Sequence, residues 1–125
     1  MARLIGPDFM ALQVRDLAAS KRFYVEELGL KLAPSSPPHA VVFATDTIPF
    51  ALREPVVPLD AASHLGWGMV LWMSCDDPDR LHDRLVEAGV KIIAPLQDGP
   101  FGRFFTFSDP DGYGVTAHAR PASRG

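Results

Sequence analysis

With 125 residues, of which 47% are hydrophobic, the chain is long enough for one compact domain with a sizeable core. Its formal net charge is −3 and its 12 basic residues are scattered, which argues against nucleic acid or an anionic membrane as a partner. Cys75 is the single cysteine, which excludes an intrachain disulfide and a thiolate zinc cluster. No apolar run approaches the roughly 20 residues that span a bilayer, so we expect a soluble protein of the reducing cytoplasm.

The first half of the chain predicts a strand, a helix and three further strands. Residues 9–15 alternate between apolar and mixed positions, as a half-buried strand does. Asp16 is placed to cap a helix that runs to about Leu28, and Gly29 follows where a helix commonly ends. The three short strands are predicted at 30–32, 41–44 and 48–53.

The second half repeats this order after a proline-containing linker at about 55–65. A strand is predicted at 69–75, Asp77 is placed to cap a helix, and Gly89 follows its end. The predicted strands after this helix are 90–94, 104–107 and 113–118. Helix starts in the two halves are 61 residues apart and helix ends are 60 apart, which indicates an internal duplication. We therefore predict an α+β fold of two tandem β-α-β-β-β modules, at about 7–54 and 66–119.

A turn before the last strand is the most specific local signal. In Asp109-Pro110-Asp111-Gly112, the first aspartate can accept backbone hydrogen bonds and proline presets a turn dihedral angle. The glycine tolerates a positive φ. The chain is predicted to reverse sharply here.

Three segments together resemble the vicinal oxygen chelate superfamily, which includes glyoxalases, bleomycin resistance proteins and ring-cleaving dioxygenases. They are the helix entry from Arg15 to Tyr24, its exit Glu27-Leu28-Gly29-Leu30, and Gly102-Arg103-Phe104-Phe105 with the turn at 109–112. The resemblance implies two modules that curl around a cleft, often in a homodimer that exchanges modules. It covers nearly the whole chain and specifies fold more than activity.

Enzymes of that superfamily hold a divalent metal through four inward side chains, normally His, Glu or Gln. Carried over by resemblance, the four positions fall on Phe9, Ala51, Val70 and Thr116. Metal ions of this kind need imidazole or carboxylate donors, which these residues do not supply. We therefore predict no metal and no cofactor.

Strand alternation predicts an apolar cleft with a few polar groups. The residues expected to stack on a ligand are Phe9 and Trp72, with Trp67 or Phe104, beside Val70. Those expected to orient it are Gln13, Arg53, Ser74, Thr116 and His118. Such a lining suits an aromatic or planar small molecule. It also resembles the metal-free branch of the superfamily, whose members sequester antibiotics such as bleomycin without changing them.

Other functions stay open at this point. Trp72 would also suit ordinary packing between modules, and Phe9 could fill the space of a metal site. A metal-dependent glyoxalase, isomerase or dioxygenase remains possible if displaced ligands such as Glu54, His64 and His118 replace the usual four. A metal-independent enzyme or a regulatory module is a third class. The sequence does not identify the ligand.

Overall fold

The computed structural model describes residues 2–119, which form two compact α+β units. One unit extends to Ala62 and the other begins at Ser63. Each contains a small sheet and a helix, so the predicted α+β class is confirmed. Among the described residues, helices are too short or too polar to cross a bilayer.

Unit one has a three-stranded sheet in which β3 is central. Its elements are β1 (Met10–Gln13), α1 (Leu17–Arg22), a π-turn (Phe23–Glu27), β2 (Ala40–Phe43), β3 (Phe50–Arg53) and a 3₁₀ turn (Leu59–Ala61). β1 pairs with β3 in parallel and β2 pairs with it antiparallel. The strand predicted at 30–32 is wrong, because only Leu32 forms a bridge, to Phe43.

The core of unit one is an aromatic group beneath its helical segment. Tyr24 comes from the π-turn, and its ring centroid lies 6.0 Å from that of Phe43 and 5.4 Å from that of Phe50. Val14 and Leu52 are completely buried. This burial uses one face of β3 and fixes which face packs on the helix.

Unit two has a four-stranded sheet in the order β4-β7-β6-β5. Its elements are β4 (Leu71–Cys75), α2 (Pro78–Glu87), β5 (Ile92–Gly99), β6 (Gly102–Ser108) and β7 (Gly114–Ala119). β5 is five residues longer at its end than the strand predicted at 90–94, so β5 and β6 form a hairpin whose tip is 100–101. β4 pairs with β7 in parallel, and the other pairs are antiparallel.

The core of unit two lies between α2 and one face of this sheet. Leu85 on α2 and Phe105 on β6 are fully buried, and Phe107 is almost so. The ring of His82 meets Phe105 edge to face at 5.2 Å and its side chain is only 22% exposed. The ring of His82 thus completes the packing over Phe105.

The duplicated helices begin and end alike. Asp16 Oδ1 accepts a hydrogen bond from the Ala19 amide at 3.0 Å, and Asp77 Oδ1 accepts one from the Arg80 amide at 3.1 Å. Gly29 and Gly89 have φ angles of 78° and 81° at the helix ends. Both predicted caps are confirmed, and the glycines supply the left-handed conformation that ends a helix.

The helical segment of unit one is one residue longer than that of unit two. The spacing from the capping Asp16 to Gly29 exceeds the spacing from Asp77 to Gly89 by one residue. The surplus coincides with the π-turn, in which the Leu28 amide donates to the Phe23 carbonyl at 3.2 Å. A π-turn holds one residue more than an α-turn between donor and acceptor. The change of offset from 61 to 60 is thus the sequence signal of this turn.

Candidate ligand-binding site

The sheet of unit two has one face that α2 does not cover. Strand register pairs Trp72 with Thr116, and it pairs His118 with both Ser74 and Phe104. Paired residues project to the same side of a sheet, whereas Phe105, next to Phe104, projects towards α2. The sequence-predicted residues of this unit that lie in strands therefore share the face that α2 does not cover.

Four rings form what we call the ring cluster: Trp72, Phe101, Phe104 and His118. The Trp72 centroid lies 5.5 Å from Phe104, 5.5 Å from His118 and 6.1 Å from Phe101. Interplanar angles of 35°, 57° and 84° are of the tilted and edge-to-face kinds that aromatic pairs prefer. Trp72 is 46% exposed and Phe101 71% exposed, so the cluster presents an accessible aromatic surface.

The polar groups of this face differ in accessibility. Ser74 is exposed, whereas Thr116 is 2% exposed and its hydroxyl lies 2.7 Å from that of Thr106. The two threonines satisfy each other and tie β7 to β6. His118 Nδ1 lies 3.2 Å from the Ala119 carbonyl oxygen, which can only accept, so Nδ1 carries the proton. In the neutral ring, Nε2 is then an acceptor for a ligand N–H or O–H group.

Phe101 is the ring that sequence reasoning missed. It lies at the tip of the β5–β6 hairpin, beyond the end of the strand predicted at 90–94. A signal was available in Gly99-Pro100-Phe101-Gly102, where glycines flank a proline and mark a turn. Gly102 indeed has a φ of 103°.

Three predicted site residues belong to unit one. Phe9 is 52% exposed and precedes β1. Gln13 Oε1 accepts hydrogen bonds from the amides of Val56 and Val57, at 2.8 and 3.3 Å. Arg53 Nε donates to the Glu54 carbonyl at 3.2 Å. Gln13, which was expected to orient a ligand, therefore uses its side-chain oxygen to fix the path of the segment after β3.

The positions onto which the resemblance carries the metal ligands differ in their exposure to solvent. Ala51 is buried at the centre of β3, and Val70 is 64% exposed just before β4. The displaced candidate Glu54 pairs with His39 Nδ1, and His64 lies 5.2 Å from the ring of Trp67. Within residues 2–119, His, Cys, Asp and Glu side chains do not gather in threes or more in a way that would hold a metal ion.

Trp67 is 83% exposed, in the turn that precedes β4. Its ring lies against that of His64. Of the ten predicted ligand-binding residues, the structure thus brings Trp72, Phe104 and His118 into direct ring contact. Ser74 and Thr116 share their sheet face.

Two groups on the other side of this sheet have shifted pKa values. Partial burial raises the pKa of the Cys75 thiol above its ordinary value, against the lowering effect of a hydrogen bond from the Asp77 backbone. Hydrogen bonding to Asp79 raises the pKa of Arg103, whose Nε lies 3.0 Å from Asp79 Oδ1. Arg103 therefore stays charged and links β6 to α2. Cys75 stays a protonated thiol near neutral pH.

Comparison with known proteins identifies a family. The family model of the glyoxalase/bleomycin resistance protein/dioxygenase superfamily matches residues 6–116. A search of curated protein sequences gave no match.

Solved structures of similar proteins span almost the whole chain. TnmS3, an antibiotic binding protein from Streptomyces sp. CB03234, is 27% identical, with a TM-score of 0.71 over 95% of this chain and 98% of its own. A glyoxalase/bleomycin resistance protein from the same organism is 28% identical, with a TM-score of 0.69 over 90% and 99%. A glyoxalase/dioxygenase from Nostoc punctiforme is 23% identical, with a TM-score of 0.73 over 97% and 99%, and shows the likeness of fold alone.

Proposed function

Because this chain belongs to the glyoxalase/bleomycin resistance protein/dioxygenase superfamily, we propose that it binds and sequesters an aromatic or planar small molecule without a metal. The ligand class is an antibiotic-type natural product, held without chemical change. The observation that carries the proposal is the ring cluster, an exposed aromatic surface on the sheet face of unit two that α2 does not cover.

A planar ligand gains from this surface in two ways. Covering the exposed parts of Trp72 and Phe101 removes apolar area from water, at about 25 cal/mol per Å². Stacking on a ring adds about 0.5–1.5 kcal/mol for each aromatic pair beyond burial. Ser74 and His118 are the polar groups beside the rings, and their hydrogen bonds would select among planar molecules.

Relatives support binding as the activity. TnmS3 is an antibiotic binding protein, and it is similar to this chain over nearly the full length of both. The positions Phe9, Ala51, Val70 and Thr116 supply neither imidazole nor carboxylate to a metal, which favours a role that needs none. Sequestration is stoichiometric, so protection of a cell would require more protein than drug and a low dissociation constant.

We also propose that the protein acts as a homodimer. Apolar side chains near the start of β4 are exposed, with Met69 at 72% and Val70 at 64%. A second copy of the chain is an occupant that would remove such surface from water.

Calorimetric titration with bleomycin and mitomycin C tests the binding proposal. We expect saturable binding of at least one of them, and we expect Trp72→Ala to raise its Kd about tenfold or more. Val86→Ala is the control, because Val86 is 51% exposed on α2, on the other side of the sheet from the ring cluster, so its truncation removes exposed apolar surface without changing the rings. Equal Kd values for Trp72→Ala and the native protein would place binding elsewhere.

Metal dependence is tested on the same samples. Binding should be unchanged after treatment with a chelator, and the compound should be recovered unaltered after prolonged incubation. Stoichiometric nickel, zinc, manganese or iron in protein purified without chelator, together with loss of binding on its removal, would contradict the metal-free proposal. Conversion of the compound to a product would show an enzyme instead.

A further inference from the structure

Gly99 lies at the end of β5, directly against the ring of Phe104. A Cβ atom built at position 99 would be 2.5 Å from Phe104 Cε1, 3.1 Å from Cδ1 and 3.6 Å from Cζ. Real Cβ atoms essentially never approach another atom below 3.0 Å. The ring of Phe104 therefore occupies the space that a side chain at position 99 would need.

The requirement for glycine at this position is steric. Gly99 does not have the left-handed φ that Gly102, across the hairpin, has at 103°. Its backbone conformation is thus open to any residue, and only the ring excludes a side chain. Glycine within a strand commonly marks a place where another group approaches the backbone closely.

We propose that Gly99 is a positioning residue for the ring cluster. Because position 99 has no side chain, the Phe104 ring can pack directly against the backbone of β5. In this position its centroid lies 5.5 Å from that of Trp72. Gly99 thereby sets the shape of the aromatic surface that a ligand meets. The part of this inference that concerns ligands rests on the proposed function, whereas the part that concerns ring position does not.

The sheet order decides how a larger residue would act. β5 lies on one side of β6, and β7 and β4 lie on the other. A ring displaced from position 99 must move towards Trp72 and His118 or outwards from the sheet. Bringing the 2.5 Å contact to an ordinary 3.4 Å needs a shift of roughly 1 Å. Either movement alters the spacing of rings on which a planar ligand would stack.

Gly99→Ala tests ring position without any ligand. Proton NMR of the Trp72 indole N–H reports on it, because the Phe104 ring current changes when that ring moves. We expect a clear displacement of this resonance in Gly99→Ala. Gly114→Ala is the matched control in the same sheet, since its Cβ would meet Ile93 Cδ1 at 3.8 Å and strain nothing.

A double variant separates ring displacement from general disturbance. In a Phe104→Ala background there is no ring to displace, so Gly99→Ala should leave the Trp72 resonance where Phe104→Ala alone puts it. The proposal is overturned if Gly99→Ala moves the resonance no more than Gly114→Ala does, or moves it equally with and without the Phe104 ring. If Gly99→Ala alone does not fold, Phe104→Ala should restore folding, and a double variant that stays unfolded also overturns it.

Ligand binding gives the second readout, with 8-anilinonaphthalene-1-sulfonate as the aromatic probe. Its Kd should rise about threefold to tenfold in Gly99→Ala, which is the change in affinity expected from the loss of one aromatic pair. The Kd should stay unchanged in Gly114→Ala. An unchanged Kd in Gly99→Ala would remove the ligand part of the inference. If neither this probe nor bleomycin binds the native protein, the proposed function fails, and the NMR comparison still decides whether Gly99 positions Phe104.

Discussion

Asp109 closes the turn before β7 with one buried carboxylate. It is 4% exposed, and its Oδ1 accepts hydrogen bonds from the amides of Asp111 and Tyr113, both at 2.9 Å. Its own amide donates to the Tyr113 carbonyl at 2.9 Å, and Gly112 between them has a φ of 94°. A buried carboxylate is tolerated where backbone donors satisfy it in this way. The turn thus fixes where β7 begins.

Asp109→Ala should lower the free energy of unfolding by about 2 kcal/mol, because two amides lose their acceptor in a place that water reaches poorly. Urea denaturation followed by circular dichroism measures the loss. Asp109→Asn keeps an acceptor oxygen and should cost clearly less. Equal losses in the two variants would show that charge, and not the acceptor, is what the turn needs.

The sheet face of a residue was predictable within a strand, because side chains alternate between the two faces. Alternation places Trp72 with Ser74 in one strand and Thr116 with His118 in another, and the register brings both pairs to one face together with Phe104. It does not reveal that Gln13 holds the segment after β3, or that Phe101 reaches Trp72. Those contacts depend on the paths of a loop and a hairpin, which local periodicity does not encode.

At the scale of elements, the two helices were predictable from their caps, whereas the strand predicted at 30–32 does not form. The Leu30 amide donates to the Tyr24 carbonyl at 3.0 Å, so the end of the helical segment takes the first residue of that strand. Only Leu32 remains to bridge Phe43. Gly29 marked the end of the helix in the sequence, but the pattern did not reveal that the amide after it bonds back to the helical segment.

Loss of either helix cap should destabilise the protein. Asp16→Ala and Asp77→Ala should each lower the free energy of unfolding by about 1 kcal/mol, because an amide in the first helical turn loses its acceptor. Thermal and urea unfolding measure this. Asp8→Ala is the control, since Asp8 is exposed in the segment before β1. A control as unstable as the cap variants would show that general charge, and not capping, is responsible.

At the scale of the whole molecule, family membership was predictable from the three segments that resemble the superfamily, and the family model that matches residues 6–116 confirms it. The activity was less so, because one fold of this kind serves both binding proteins and enzymes. What separates these roles is a small set of side chains on sheet faces, and the proposed binding role of this chain rests on the ring cluster.

The proposed homodimer is tested by sedimentation equilibrium of the full chain. We expect a mass twice the 13.6 kDa of a single chain. Val70→Glu should weaken association, because a carboxylate would be buried in an apolar contact. Lys31→Glu is a control at an exposed residue outside β4. A single-chain mass for the native protein at high concentration would rule the dimer out.

The π-turn in unit one has a consequence for how the chain finds its fold. A duplicated sequence risks docking a segment of one copy onto the sheet of the other, a known failure of repeat proteins. Here the helical segment of unit one carries one residue more between its capping aspartate and its final glycine. If it were laid on the sheet of unit two, either the cap or the glycine would be out of step by a residue. This difference in spacing therefore disfavours an exchange of helices between the two sheets.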